Sequence, residues 1–159
     1  MTGVALYRTA IAQEWIDFNG HLRDAYYSLI VSFAADALLD RLGMDESYRT
    51  RTRNTLYTLE MHFHFLREVK QADVVEVAVR ILGFDQKRIH AAFDLTCQQY
   101  PDPVATAEIM LLHVHQGEKP GATPFPGEVV ATLASLVEAT SAPGPSVPGS
   151  RRMELRSRS

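Results

Sequence analysis

The apolar positions of this chain change period along its length, and the changes lay out its elements. From Val4 to Ala12 the alternation is weak but the residues are β-permissive, which predicts a first strand. Beyond Asp24 the spacing becomes helical: Tyr26, Leu29, Ile30, Phe33, Ala37 and Leu38 recur at steps of three and four. Asp24 stands where a capping side chain belongs, and Gly43 follows the last periodic residue. Ala34 and Ala35 widen the apolar circumference, so this long helix is expected to be deeply buried. An irregular charged stretch from Asp45 to Asn54 comes next. The period then falls to two, with Tyr57, Leu59, Met61, Phe63 and Phe65 on one strand face and Thr58, Glu60, His62 and His64 on the other. Val75, Val77, Val79 and Ile81 mark the following strand, and a connection through Gly83-Phe84-Asp85-Gln86-Lys87 leads to another with Ile89, Ala91, Phe93, Leu95 and Cys97 inward. Tyr100-Pro101-Asp102-Pro103 predicts a turn before Val104–Val114, which is apolar on both faces. After Pro126 the stripe of Val129, Val130, Leu133, Leu136 and Val137 predicts a short helix.

The order strand, long helix, four strands, short helix implies an α+β fold in which an antiparallel sheet wraps one central helix. Such a sheet leaves an edge or an outer face uncovered, so a homodimer or homotetramer is expected. The length of 159 residues suits one domain, residues 1–140. Residues 141–159 follow as a flexible tail opening on Ser141-Ala142-Pro143-Gly144-Pro145, a composition that does not pack. The net charge is −3, and the last nine residues hold four Arg and one Glu, so the preceding residues carry about −6. That balance excludes a nucleic-acid-binding surface. No apolar run approaches the ~20 residues of a membrane span. The first strand-like segment starts almost at Met1, so no leader is expected and the location is read as cytoplasmic. Cys97 alternates with inward-facing apolar residues and reads as a small core residue rather than a nucleophile.

The chemistry concentrates in Trp15-Ile16-Asp17-Phe18-Asn19-Gly20-His21-Leu22-Arg23-Asp24-Ala25-Tyr26-Tyr27. A lone carboxylate, a turn of small and polar residues and an immediate helix start can set an acid or base beside backbone N–H groups that hold a developing oxyanion. A plain strand-to-helix turn, with Asn19-Gly20 supplying positive backbone angles, is the alternative reading. Glu60, His62, His64, His113 and His115 are metal-ligand types, but they follow no fixed-spacing metal motif, and no metal is expected.

The Asp17-Phe18-Asn19-Gly20-His21 segment, the helix after it, the Leu59-Glu60-Met61-His62 strand and Asp85-Gln86-Lys87-Arg88-Ile89-His90 stand in an order that resembles the hotdog-fold acyl-CoA thioesterases of the 4-hydroxybenzoyl-CoA thioesterase type. The resemblance covers Val4 to Glu138 and is closest to the betainyl-CoA thioesterases associated with carnitine breakdown. It implies a hotdog fold and hydrolysis of a small acyl-CoA without a cofactor. Asp17 would be general base or nucleophile, and amides from Gly20 to Asp24 would be the oxyanion donors. Asn19, Gly20, His21, Tyr26 and Glu60 are the implied substrate contacts, Glu60 with a structural role as its alternative. Arg23 and Asp24 depart from the pair of Asn residues common in such loops; Asp24 either favours a cationic acyl group or pairs with Arg23. Trp15, Phe18, Tyr26, Tyr27 and Tyr57 are candidate faces for a quaternary ammonium group. Lys87-Arg88, Arg67 and the Arg49, Arg51, Arg53 cluster are candidates for the phosphates of coenzyme A. A non-catalytic acyl-binding or assembly module on the same scaffold is the alternative function.

Overall fold

The computed structural model describes residues 3–140; the tail expected from residue 141 lies outside them. Strand β1 (Val4–Ala10) leads through a single 3₁₀ turn (Gln13–Trp15) to helix α1 (Asp24–Arg41) and helix α2 (Glu46–Thr52). Strands β2 (Asn54–Phe65), β3 (Val74–Phe84), β4 (Arg88–Cys97), β5 (Ala105–His115) and the short β6 (Gly121–Ala122) follow, and helix α3 (Gly127–Thr140) closes the described chain. The strands pair antiparallel in the order β1-β3-β4-β5-β2, with β6 added to β5 past the end of β4. This is the α+β arrangement expected from the sequence.

Uninterrupted alternation places Val75, Val77, Val79 and Ile81 of β3 and Ile89, Ala91, Phe93, Leu95 and Cys97 of β4 in one core. Ile30, Val31, Ala34 and Leu38 of α1 and Val129, Leu133 and Leu136 of α3 fill the same core. Each of these larger side chains contributes about 1.5–3 kcal/mol by leaving water. On the opposite sheet face Arg80 and Asp94 are buried together, the guanidinium donating from Nε to Oδ2 (2.7 Å) and from Nη2 to Oδ1 (3.2 Å).

Four local expectations are corrected. Asp24 is the first helical residue rather than the cap: Arg23 holds the cap position without a side-chain bond, and the Asp24 carboxylate accepts the amide of Ala25 at 2.8 Å. The buried side of α1 runs through Tyr27, Ile30, Val31, Ala34, Leu38 and Leu39, so Leu29 and Phe33 remain 37% and 39% exposed. The stretch from Asp45 contains α2, which Asp45 caps by accepting the amide of Tyr48 at 2.8 Å. Only Tyr48 of that helix is buried, so no apolar stripe announced it. In β2 the register against β5 shifts between Thr58 and Glu60. The extra residue, Leu59, reverses the alternation, so Tyr57 shares a face with Glu60, His62 and His64, opposite Leu112, Met110, Glu108 and Thr106 of β5. Leu56 and Thr58 join Met61, Phe63 and Phe65 on the core-side face.

Gly43 ends α1 as read from the sequence. At φ +75° its N–H reaches the carbonyl of Asp40 (3.0 Å), and the N–H of Met44 reaches that of Leu39 (2.9 Å).

Candidate active site

The loop between β1 and α1 is closed on itself by Asp17. Its N–H donates to the carbonyl of His21 (2.9 Å), and its own carbonyl accepts from Gly20 (3.0 Å). Its Oδ1 accepts the amides of Asn19 (2.8 Å) and His21 (3.2 Å). Gly20 turns the chain at φ +79°, a conformation in which an L side chain is strained. An antiparallel bridge between Ile16 and Leu22 seals the base of the loop, and two further bonds anchor it: Leu22 N–H to Val69 O (2.7 Å) and Arg23 N–H to Trp15 O (3.0 Å).

Partial desolvation pushes the Asp17 carboxyl up. The amides of His21 and Asn19 and the nearby His21 and Arg23 outweigh it, so the group lies below its ordinary value of 3.8 and is an anion at neutral pH.

The oxyanion donors expected between Gly20 and Asp24 reduce to one. The amides of Gly20, His21, Leu22 and Arg23 are all engaged within the protein. That of Asp24, at the positive end of α1, has no acceptor among the described residues. The Asp24 carboxylate occupies the next amide, that of Ala25. An anionic oxygen and an open helix-terminal amide therefore stand seven residues apart on one clasped loop.

Asp17 and Asp24 line a cleft of about 490 Å³ whose walls also carry His21, Leu22, Tyr27, Phe65, Leu66 and Glu68. His21 Nε2 lies 3.0 Å from Glu68 Oε2. Tyr27 is held neutral, its phenol raised to about 12 by burial and then by the charge of Glu68. The remaining implied contacts sit elsewhere. Asn19 and Gly20 build the loop, and Tyr26 stacks on Trp15 with centroids 5.4 Å apart. Glu60 lies on the sheet face away from the core, 2.6 Å from His62, in a separate cleft with His90 and Glu108. There Glu108 binds His90 at 2.6 Å through Oε1, and its buried Oε2 has no partner among the described residues.

Of the other aromatic candidates, Phe18 is 91% exposed and Tyr57 accepts from Gln116 at 3.0 Å. His113 faces the core, and His115 pairs with Asn54 at 2.8 Å. Arg88 is bound to Asp85, whose carboxyl falls to about 2, chiefly through that guanidinium. The sequence reading missed Phe65, Leu66 and Glu68. They reach the loop through the bond from Leu22 to Val69, a pairing between distant segments that leaves no local signature.

A *Pseudomonas aeruginosa* betainyl-CoA thioesterase is 44% identical to the chain over 133 residues, covering 84% of this chain and 83% of that protein. A proposed thioesterase from *Pseudomonas putida* KT2440, known from its crystal structure, shares 38% identity and a TM-score of 0.83 over 99% of both chains. A *Staphylococcus aureus* protein solved in complex with CoA shares 26% identity and a TM-score of 0.83 over 98% of both chains. No described helix is long and apolar enough to cross a membrane. Residues 11–133, from the end of β1 into α3, match the thioesterase-like superfamily, and with the extent of these likenesses the chain belongs to that superfamily, with its hotdog fold.

Proposed function

We propose that the protein hydrolyses a small acyl-CoA thioester, betainyl-CoA foremost, in the cytoplasm. The 44% identity to the *P. aeruginosa* enzyme supports the substrate, and the CoA-bound *S. aureus* relative supports the thiol half. One observation carries the mechanism: Asp17, an anion, and Asp24, whose amide has no acceptor among the described residues, line the same cleft. With the thioester carbonyl pointing at that amide, negative charge developing on its oxygen is met by a fixed donor at a helix N-terminus. Asp17 either attacks the carbonyl carbon or draws a proton from an attacking water. Its lowered pKa keeps it an anion at neutral pH, the state that both routes require. On the first route the C–S bond breaks, CoA thiolate leaves and water hydrolyses the acyl-aspartyl anhydride; on the second the water adds to the carbonyl, the C–S bond breaks and the proton held by Asp17 passes to the departing thiolate.

The occupied Oδ1 favours a second reading, in which Asp17 only organises the loop of an acyl-binding module. Asp17→Asn separates the two. The amide oxygen of Asn still accepts both loop N–H groups, while the negative charge is gone. Thiol release from betainyl-CoA is expected to fall by about 10²–10⁴-fold with the thermal midpoint nearly unchanged. Full turnover by this variant rejects Asp17 as the reacting group; a wild-type protein that binds acyl-CoA and releases no thiol establishes the module.

A further inference from the structure

We propose that the Asp17 cleft contains a seat for a quaternary ammonium group on the acyl chain, formed by the exposed ring of Phe65, against which the buried Tyr27 packs, and the carboxylate of Glu68. This rests on the thioesterase reading above and assigns the residues that select its acyl group. Phe65 ends β2 on its core-side face yet is 53% exposed, because it stands at the cleft. Phe63 stacks parallel to it with centroids 5.7 Å apart, and Tyr27 meets it edge-on at 5.1 Å, so neighbours on two elements fix the ring. A half-exposed, immobilised aromatic ring at the wall of a cleft is a ready surface for a soft cation.

The charge around it has the matching sign. Asp17, Asp24 and Glu68 line the cleft, against Arg23 and Arg67. Arg67 is drawn away: its guanidinium lies 5.2 Å from the centre of the Tyr100 ring and 3.7 Å from Asp102, both of which belong to a neighbouring cleft. The Glu68 charge is felt at the Tyr27 hydroxyl, which places acid and aromatic rings in one field.

A primary ammonium is held through hydrogen bonds to acceptors, and one oxygen of Glu68 is taken by His21. A quaternary ammonium has no N–H to satisfy. It requires only apolar contact, an aromatic face and nearby negative charge, which is the set present here.

The test compares betainyl-CoA with 3,3-dimethylbutyryl-CoA, its carbon isostere, which has the same shape and no charge. The inductive activation of the betainyl carbonyl is the same for every variant, so the change in the ratio of their kcat/KM values from wild type to variant isolates recognition of the cation, and turnover of the isostere reports that each variant is folded. The wild type is expected to favour the betainyl ester by about tenfold or more. Phe65→Leu and Glu68→Gln should each lower that ratio several-fold, while Phe65→Tyr, which keeps the aromatic face, should preserve it. A wild type that turns over both esters equally, or a ratio unmoved by Phe65→Leu and Glu68→Gln, overturns the seat and leaves the thioesterase reading standing. Hydrolysis of neither ester overturns the substrate assignment and the seat with it.

Discussion

At the scale of single residues, the amide of Asp24 is the part of the loop most open to a clean test. The preceding residue, Arg23, sits at φ −63° and ψ 140°, the conformation proline imposes on its neighbour. Proline is also well tolerated at the first position of a helix, where its missing N–H would have had no carbonyl to meet. Asp24→Pro deletes the proposed oxyanion donor without breaking a bond that its N–H makes in the protein, and Asp24→Ala, which loses the same carboxylate bond to Ala25 but keeps the N–H, is the parent against which it is read. Turnover is expected to drop about 10²–10³-fold, the usual cost of losing one such donor, with CD-monitored melting close to that of the parent. Asp17 and the loop around it were legible in the sequence because they are contiguous, their residue types and order being enough. Which amide remains open was not legible, since it depends on Val69 and Trp15 consuming the amides of Leu22 and Arg23.

At the scale of elements, His113 of β5 ties three segments together. Its Nδ1 lies 2.9 Å from the carbonyl of Thr123 and must carry the proton, so Nε2 accepts from the Tyr48 hydroxyl of α2 at 3.2 Å. The ring stacks on Phe125 at 4.9 Å. Burial lowers its pKa below 6.5, against the raising effect of the Thr123 and Pro124 carbonyls. The unfolded chain therefore binds this proton more readily than the folded one. The resulting stability is fully present above pH 6.5 and is lost as pH falls from there through the lower folded value. Urea midpoints measured between pH 7.5 and 5 should decline more steeply for the wild type than for His113→Gln. Strands β3 and β4 could be read from alternation because nothing interrupts the inward run from Val75 to Ile81 or from Ile89 to Cys97. In β2 the same reasoning failed at Leu59, where one inserted residue exchanged the faces of Tyr57 and Thr58. Helix α2 escaped notice because a short helix burying only Tyr48 shows no period.

At the scale of the whole molecule, β2 is an edge strand with one neighbour, β5, so half of its backbone groups lack strand partners in the single chain. Leu59 is 55% exposed along it, and Tyr57 is exposed beside it. Leu29 and Phe33 of α1 add further uncovered apolar surface. These features support the dimeric contact of the homodimer or homotetramer expected from the sequence, with β2 meeting a second copy. Sedimentation velocity should return about twice the 17.8 kDa chain mass for the wild type, and Leu59→Lys should shift it towards the monomer. A monomeric wild type at micromolar concentration would remove the dimer.

The clasp from Ile16 to Leu22 has a consequence for how such a protein diversifies. The proposed reacting oxygen and its partner amide are held within one short contiguous stretch, whereas Phe65 and Glu68 arrive from the far end of β2. Bond breaking and choice of acyl group are thereby inherited through separate parts of the chain. Mutations at the end of β2 and just beyond it can retune which esters are accepted while the proposed hydrolytic apparatus passes unaltered from one descendant to the next.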